Sequence, residues 1–351
     1  MPKDQFFFNT ILRQSGKNRS FLLVLLISCI FFFLPPEWME GLYGKLIFPL
    51  VRILLHLISW IPFPLIYIPI AAVPGWFYYL LKSRLSWKVL VLKQLKAVFA
   101  IIILFYWLWA FNYRRTDFET RFEVSVPKLD SSTLVRELNY AADLMKTQRN
   151  SDPQRFNPVQ IEELVRPAVK TICQRFGYTT PGKIRVKALY PKGALLRIKT
   201  AGFYFPHAGE AYVDGGLHPL QMAFTIAHEM SHGFGVTDEG ACNFLAFLAT
   251  QASKDSSIQY SGAIGYFRYV AGAYRYYFPE AYQAFRDELP ATIQMDLDEI
   301  NQAMRRYPDL FPKLRDQIYD NYLKLQGIKE GMSSYDNIID LVRQAREQGL
   351  L

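Results

Sequence analysis

The stretch FTIAHEMSHGFGVTDEGACNFLAFLA, residues 224–249, decides how this chain is read. It holds two of the five histidines, His228 and His232, four positions apart, with Glu229 directly after the first. On a helix, positions i and i+4 lie one above the other on the same face, so two imidazoles spaced in this way can address one ion. The flanks, AFTIA before and GFG after, are apolar or small, and the helix reads as largely buried. HExxH is short and arises by chance on helix surfaces. A buried pair of histidines and a glutamate without partners would cost several kcal/mol in sum, and that weighs against the chance reading. A catalytic zinc takes three protein ligands and keeps one position for water, whose pKa it draws down to about 7. Glu229, one step around the helix from His228, is placed to take that water's proton and pass it to a leaving amine.

The third ligand is sought downstream. Gly233 and Gly235 end the helix and let the chain turn. Asp238 stands ten residues after His228, where the pattern HExxHxxGxxH places its third ligand. Glu239 opens EGACNFLAFLA, which reads as a second helix with Asn243 one turn on. A polar group there can hold a ligand histidine by its other nitrogen. As plain helix residues, Thr237 or Asp238 would be the N-cap, and acidic groups suit the first turn. Capping by one of the pair leaves the other for the metal. Glu239 is favoured over Asp238 because ligand carboxylates more often sit in a helix. His207 and His218 are fallback ligands, each more at home in a structural or substrate-facing role.

Around this stretch the pattern mixes short strands and many helices. RFEVSVP (121–127) alternates and reads as a strand, followed by a helix through STLVRELNYAADLMKTQ. VQIEELVRPAVKTICQRFG has helical spacing with Gly177 as C-cap. KIRVKALY (183–190) reads as a strand, and AGFYFPHAGEAYVDGGL as two more. From about residue 258 onward the pattern is helical. The fold class expected is α+β. GEAYVD (209–214) is the candidate edge for holding a peptide backbone, and equally a structural hairpin strand. Tyr260, Tyr266 and Tyr269 are the tyrosines nearest the motif that can be weighed as oxyanion donors, though helix packing explains most of them.

The first third of the chain is different in kind. Residues 1–116 carry 13 Lys and Arg against 3 Asp and Glu, whereas the remainder carries 27 against 28. The net charge of +9 is therefore concentrated in an apolar region, where basic residues set membrane orientation. No basic stripe suited to a phosphate backbone is left elsewhere, and nucleic acid is not an expected partner. FLLVLLISCIFFFLPP (21–36) reads as an uncleaved signal-anchor, since no small-residue cleavage site follows. AVFAIIILFYWLWAFNY (97–113) reads as a span closed by a headgroup belt of aromatics. Between them, 53–81 is broken by Pro62, Pro64, Pro69 and Pro74. It reads as one kinked span, or as an interfacial helix and a span. His56 reads as an interfacial residue. With the tail (Lys3, Arg13, Lys17, Arg19) and the loop carrying Lys82, Arg84, Lys88, Lys93 and Lys96 inside, three spans put the rest outside the cytoplasm. Arg114 and Arg115 pull slightly the other way. Three cysteines are too few for a disulfide framework. Cys29, in an apolar run, reads as a small buried hydrophobe, and Cys173 and Cys242 could pair.

HEMSHGFGVTDEGACNFLAFLA resembles the HExxHxxGxxxExxxNFxAxLA stretch of an uncharacterised family of bacterial three-span membrane proteins, regarded as gluzincin-type zinc metallopeptidases. YWLWAFNYRR (106–115) is similar to that family's close of the third span, and NYLKLQGIKEGMSSYDNIIDLV (321–342) to its C-terminal segment. The resemblance implies His228, His232 and Glu239 as zinc ligands and Glu229 as base. Gly233-Phe234 stands where the family usually has Gln-Arg, and Gly-Ala-Cys where Asp-Glu-Ala is common, which leaves the ligands in place. The expectation is an N-terminal region of about three spans over 1–116 and an extracytoplasmic, zincin-like domain over 117–351, mostly helical with a small sheet. It would be anchored in the cell membrane and hydrolyse a peptide or protein substrate with Zn²⁺. The competing expectation is a non-catalytic membrane scaffold with a structural or vestigial metal site. A closed fourth ligand would mark the scaffold. Intramembrane proteolysis is disfavoured because the motif follows a long polar stretch.

Overall fold

In the computed structural model of the protein, residues 21–122, 131–149, 156–310, 312, 317, 321, 337–349 and 351 are described. Helix α1 (Phe21–Phe32) is followed by α2 (Pro36–Met39), which runs through a π-helical stretch, Glu40–Ile47, into α3 (Phe48–His56). Then come α4 (Tyr67–Lys82), α5 (Trp87–Leu108), α6 (Phe118–Phe122), α7 (Ser131–Gln148) and α8 (Pro158–Arg175). Strands β1 (Arg185–Leu189), β2 (Gly202–Phe205) and β3 (Glu210–Asp214) lead into α9 (Pro219–Gly233) and α10 (Glu239–Gln251). Helices α11 (Ser256–Tyr277), α12 (Pro279–Asp287), α13 (Ala291–Arg305) and α14 (Ile338–Glu347) complete the described elements. The protein is α+β, mostly helical with one small sheet.

Helix α10 is the centre of the packing. Its residues from Glu239 to Thr250 are all buried, as a helix apolar on every side must be. Helices α8, α9, α11 and α14 pack on it, and α7 covers α11. In the sheet, β3 is central. It pairs parallel with β1, with Leu189 opposite Asp214, and antiparallel with β2, with Gly202 opposite Val213. Helix α9 lies against β2 and β3. The candidate edge at 209–214 is thus corrected: its backbone groups are used by neighbours on both sides, and among the described residues β1 and β2 are the outer strands, with β2 lining the cleft.

The N-terminal third also departs from its reading. Among the described residues one helix, α5, is long and apolar enough to cross a membrane, and α1 is a shorter apolar helix. Nothing between Trp87 and Leu108 breaks a helix, so α5 starts well before the span expected at 97–113 and carries Lys88, Lys93 and Lys96 on its first half. It stops at Leu108; Ala110–Arg114 form a 3₁₀ turn whose Ala110, Phe111 and Asn112 are buried. Trp109 and Phe111, read as part of a headgroup belt, are core residues. Stretch 53–81 is split, with Pro62 and Pro64 in the break between α3 and the 16-residue α4. Residues 36–66 pack into the C-terminal part of the chain. Met39, Tyr43 and Phe48 join its core. Leu65 N–H donates to Glu210 Oε2 (3.1 Å), Ile66 N–H to the Tyr212 hydroxyl (3.1 Å), and Lys187 to the Phe63 carbonyl (2.9 Å). At 121–127, Arg121 and Phe122 close helix α6 instead of opening a strand, and the remainder lies outside the described residues. So do the basic tail residues before Phe21 and most of 321–342.

Glu40 ties these parts together. Arg115 donates to it from Nε (3.0 Å) and Nη2 (2.9 Å), and Arg121 also pairs with it. Burial opposes its charge, but the two guanidiniums outweigh burial and hold its pKa below the usual carboxylate range. A depressed folded pKa gives stability that is present above the unfolded pKa and lost as pH falls through the folded one. Glu40→Gln should therefore destabilise the protein by about 1–3 kcal/mol near neutral pH, after discounting for partial exposure. The deficit should shrink in acid, once the wild-type carboxylate is itself protonated. Denaturant unfolding in detergent at both pH values measures this.

Candidate metal centre

The last two turns of α9 and the first of α10 build one cluster. Helix α9 starts with Pro219 at its first position and His218 as N-cap, the ring accepting from Leu220 N–H (3.4 Å). It ends at Gly233. The chain then reverses at Gly235, whose φ of +92° and close neighbours (Asn112 Oδ1 at 2.8 Å from where a Cβ would stand) admit only glycine. Asp238 caps α10, accepting from Ala241 N–H at 2.6 Å, which places Glu239 in the first turn, facing α9.

His228, Glu229 and His232 offer donor atoms all within 4.8 Å of one another. The two Nε2 atoms are 3.1 Å apart. Glu239 Oε2 lies 3.2 Å from His228 Nε2 and 3.4 Å from His232 Nε2. Donors bonded at about 2.0–2.1 Å to one tetrahedral ion stand about 3.3–3.4 Å from each other, so the three fit a common cation. The far sides of the rings are fixed as well. His232 Nδ1 donates to the Val236 carbonyl (2.9 Å), and His228 Nδ1 to Asn243 Oδ1 (2.8 Å), which also accepts from the Tyr269 hydroxyl (3.1 Å). With protons on both Nδ1 atoms, both Nε2 lone pairs point inward. Such outer hydrogen bonds are what fix the tautomer of metal-ligating histidines.

The charges follow the geometry. Burial opposes ionisation of Glu239, but the His232 and His228 rings outweigh it and hold its pKa well below the usual range. Burial likewise opposes charge on His232, yet its pKa is raised well above 6.5. The Glu239 carboxylate is the cause we assign, because the adjacent Cys242 thiol is itself pushed up to about 12 by burial and stays neutral. Glu229 is buried, and burial lifts its pKa to about 7 against the pull of both histidines. Its Oε2 is buried with no hydrogen-bond partner. Asp238 is also raised to about 7 by burial.

The cluster opens on a cavity of about 1160 Å³. Residues of β2, α9 and α11 line it, among them Gly202, Phe224 and Tyr269, and so do Phe105 and Trp109 from the end of α5. A Cβ at Gly202 would stand 2.5 Å from the Tyr212 carbonyl and 3.0 Å from Glu229 Cγ, so glycine there lets β2 approach the carboxylate closely.

The structure thus brings His228, His232, Glu239, Glu229 and Asn243 together. Asp238 acts as a cap. His218 caps α9 and lies 3.6 Å from Glu299, and His207 stacks on Phe105 with ring centroids 6.2 Å apart. Of the tyrosines weighed, Tyr260 and Tyr266 are buried on Asp296 and Glu137, and only Tyr269 lines the cavity. Cys173 and Cys242 are free buried thiols, and Cys242 Sγ touches His232 Nδ1 at 3.3 Å, whereas Cys29, expected to be buried, is exposed on α1. Sequence reasoning missed Gly202 and Trp109, whose indole Nε1–H donates to the His232 carbonyl (2.8 Å). It also missed Arg52, fully buried and donating to the Tyr204 hydroxyl (2.8 Å) on the cavity wall. None of the three has a local signal, because each acts through a partner distant in sequence.

A family model described as Protein of unknown function (DUF3810) matches residues 43–343, most of the chain, and the chain belongs to that family. No curated protein and no solved structure matches it.

Three outcomes follow from this geometry. Asn243→Ala should weaken metal affinity by about 10–100-fold through loss of ring orientation, while His228→Ala removes a donor and should abolish stoichiometric binding. Competition titration of the purified protein with a chromogenic chelator measures both. Gly202→Ala should destabilise the fold by about 1–3 kcal/mol, the usual cost of forcing a methyl group into filled space, as read by thermal unfolding.

Proposed function

We propose that this family member is a membrane-anchored zinc metallopeptidase of the HExxH…E, gluzincin type. The observation that carries the reading is the convergence of His228, His232 and Glu239 beside a buried, unpartnered carboxylate, Glu229, on the wall of an open cleft. The two imidazoles and one carboxylate suit zinc, and the cleft takes the place of the fourth protein ligand that a structural site would need.

Zinc bound there supplies Lewis acidity, polarising a substrate carbonyl and acidifying water within its reach. The remaining work belongs to the chain. The outer edge of β2 orients a peptide in extended form across the cleft by backbone hydrogen bonds. The Glu229 carboxylate takes a proton from the attacking water and returns it to the nitrogen of the leaving amine. A carboxyl whose pKa lies near neutrality can do both within one turnover. Asn243 and Tyr269 hold the His228 ring, and Val236 the His232 ring, so the donors need no reorganisation as charge develops.

The membrane reading belongs to the same proposal. It takes α5, together with α1 and α4, as about three spans over 1–116, and the positive-inside bias puts residues after about 116 outside the cytoplasm. The partners are then the bilayer and a peptide or protein.

Glu229→Gln tests the reading. The variant should retain one zinc per chain and an unchanged unfolding midpoint, yet lose peptide hydrolysis by at least about 10³-fold. In the wild type, kcat/KM should fall as acid protonates Glu229. The midpoint should lie above the ordinary carboxylate value of about 4.3 and at or below about 7, since any cation brought beside the carboxylate lowers its pKa. A variant that hydrolyses peptides at the wild-type rate would overturn the proposal.

A further inference from the structure

The candidate metal centre and the one helix that, among the described residues, is fit to cross a membrane are next to each other. Helix α5 has 22 residues, a length of about 33 Å against a hydrocarbon core of about 30 Å. Trp109 is the next residue after its end, and its ring centroid lies 6.1 Å from that of His232. The same indole donates to the His232 carbonyl at 2.8 Å. One turn back, Phe105 belongs both to α5 and to the wall of the cleft. The surface beside it is equally apolar. Helix α3 and the break after it expose Leu50, Leu54, Leu57, Trp60 and Phe63. The opposite face of α3 is packed on the domain: Arg52 is fully buried, and the Cβ position at Gly209 lies 2.8 Å from Leu55 Cβ. A continuous apolar face of this extent is not left to water; beside a spanning helix it belongs against lipid, as an interfacial helix does.

From this juxtaposition we infer that the cleft works at the bilayer surface, and that its substrates are polypeptides held there by an apolar membrane segment of their own. This deepens the peptidase reading and rests on it. The interval from the Trp109 ring to the ligand ring is covered by about two residues of extended chain, at about 3.3 Å each. The Trp109 ring also lies 6.2 Å from that of Tyr204 on β2, so a polypeptide leaving the bilayer beside α5 reaches the β2 edge almost at once. The cleft wall carries on the chemistry the chain has just left, with Phe105 and Trp109 followed by Phe203 and Pro206. A soluble peptide meets the same cleft without the high local concentration that a shared bilayer gives.

Two measurements test the inference, using the full chain in phosphatidylethanolamine–phosphatidylglycerol vesicles. In the first, Ile198→Cys, on the cleft rim, is labelled with a fluorophore in a Cys29→Ser background. Spin-labelled lipids quench it, the nitroxide placed either near the headgroup or at the acyl end. Strong quenching from the headgroup position and weak quenching from the acyl end is the expected result; absence of quenching from both positions overturns the inference whatever the enzyme does. In the second, one quenched-fluorescent peptide library is presented free, or fused to a Leu/Ala-rich transmembrane helix in the same vesicles. Wild type should cleave the anchored library at least about tenfold faster at equal bulk concentration, from effective concentration alone, and Glu229→Gln should cleave neither. Equal rates for both libraries overturn the inference while leaving the peptidase intact. If wild type cleaves neither library, the peptidase reading falls and takes the substrate class with it, while the quenching result still decides where the cleft lies.

Discussion

Two imidazole nitrogens face each other at 3.1 Å, and each ring has already spent its proton on the other side. Lone pair against lone pair in a buried site is repulsive unless a positive charge lies between them. The remaining features of the centre answer that constraint. The Glu239 carboxylate completes the triangle and draws the charge in. In the metal-free chain that charge is a proton, which is why His232 is held protonated well above the ordinary imidazole range. A divalent ion bound there, as proposed, would replace the proton with a stronger and better-shared charge, so that metal uptake and proton release would be one event.

The fold holds the triangle through helix ends rather than loops. Helix α9 supplies two donors from its last turns and α10 the third from its first turn, and between them the chain reverses in five residues, Phe234–Asp238. Asp238 fastens the start of α10, and Asn243 and Tyr269 tie the His228 ring to α10 and α11. Because α10 is buried on all sides, its position is set by packing from four neighbouring helices. A ligand on such an element is held far more closely than one on a surface loop.

The C-terminal part was legible because its signals are local. HExxH spacing, the two glycines, the capping acid and the polar residue one turn into the next helix all lie within sixteen residues, 228–243. Strand existence was legible at 183–190, from alternation, and within 201–217, from β-like pieces between turn residues, but not at 121–127, where Arg121 and Phe122 close a helix. Strand order was not legible, because which strand is central depends on pairing between segments far apart. The N-terminal third misled for a different physical reason. Hydropathy reports only that a residue avoids water, and Met39, Tyr43, Phe48, Trp109 and Phe111 do so inside protein. Lipid and a protein core select the same side chains, and only long-range contacts such as Glu40 with Arg115 and Arg121 separate the two.

The outer margin of β2 is short. Strand β2 runs for four residues, Gly202–Phe205, and along a strand only every second residue turns both its N–H and its C=O toward the same edge. Under the proposed peptidase reading, a guest chain laid there would find a backbone grip only about two residues long, close to Gly202 and Glu229. So small a footprint would say little about sequence, and discrimination between guests would fall to which chains are brought to the margin in the first place.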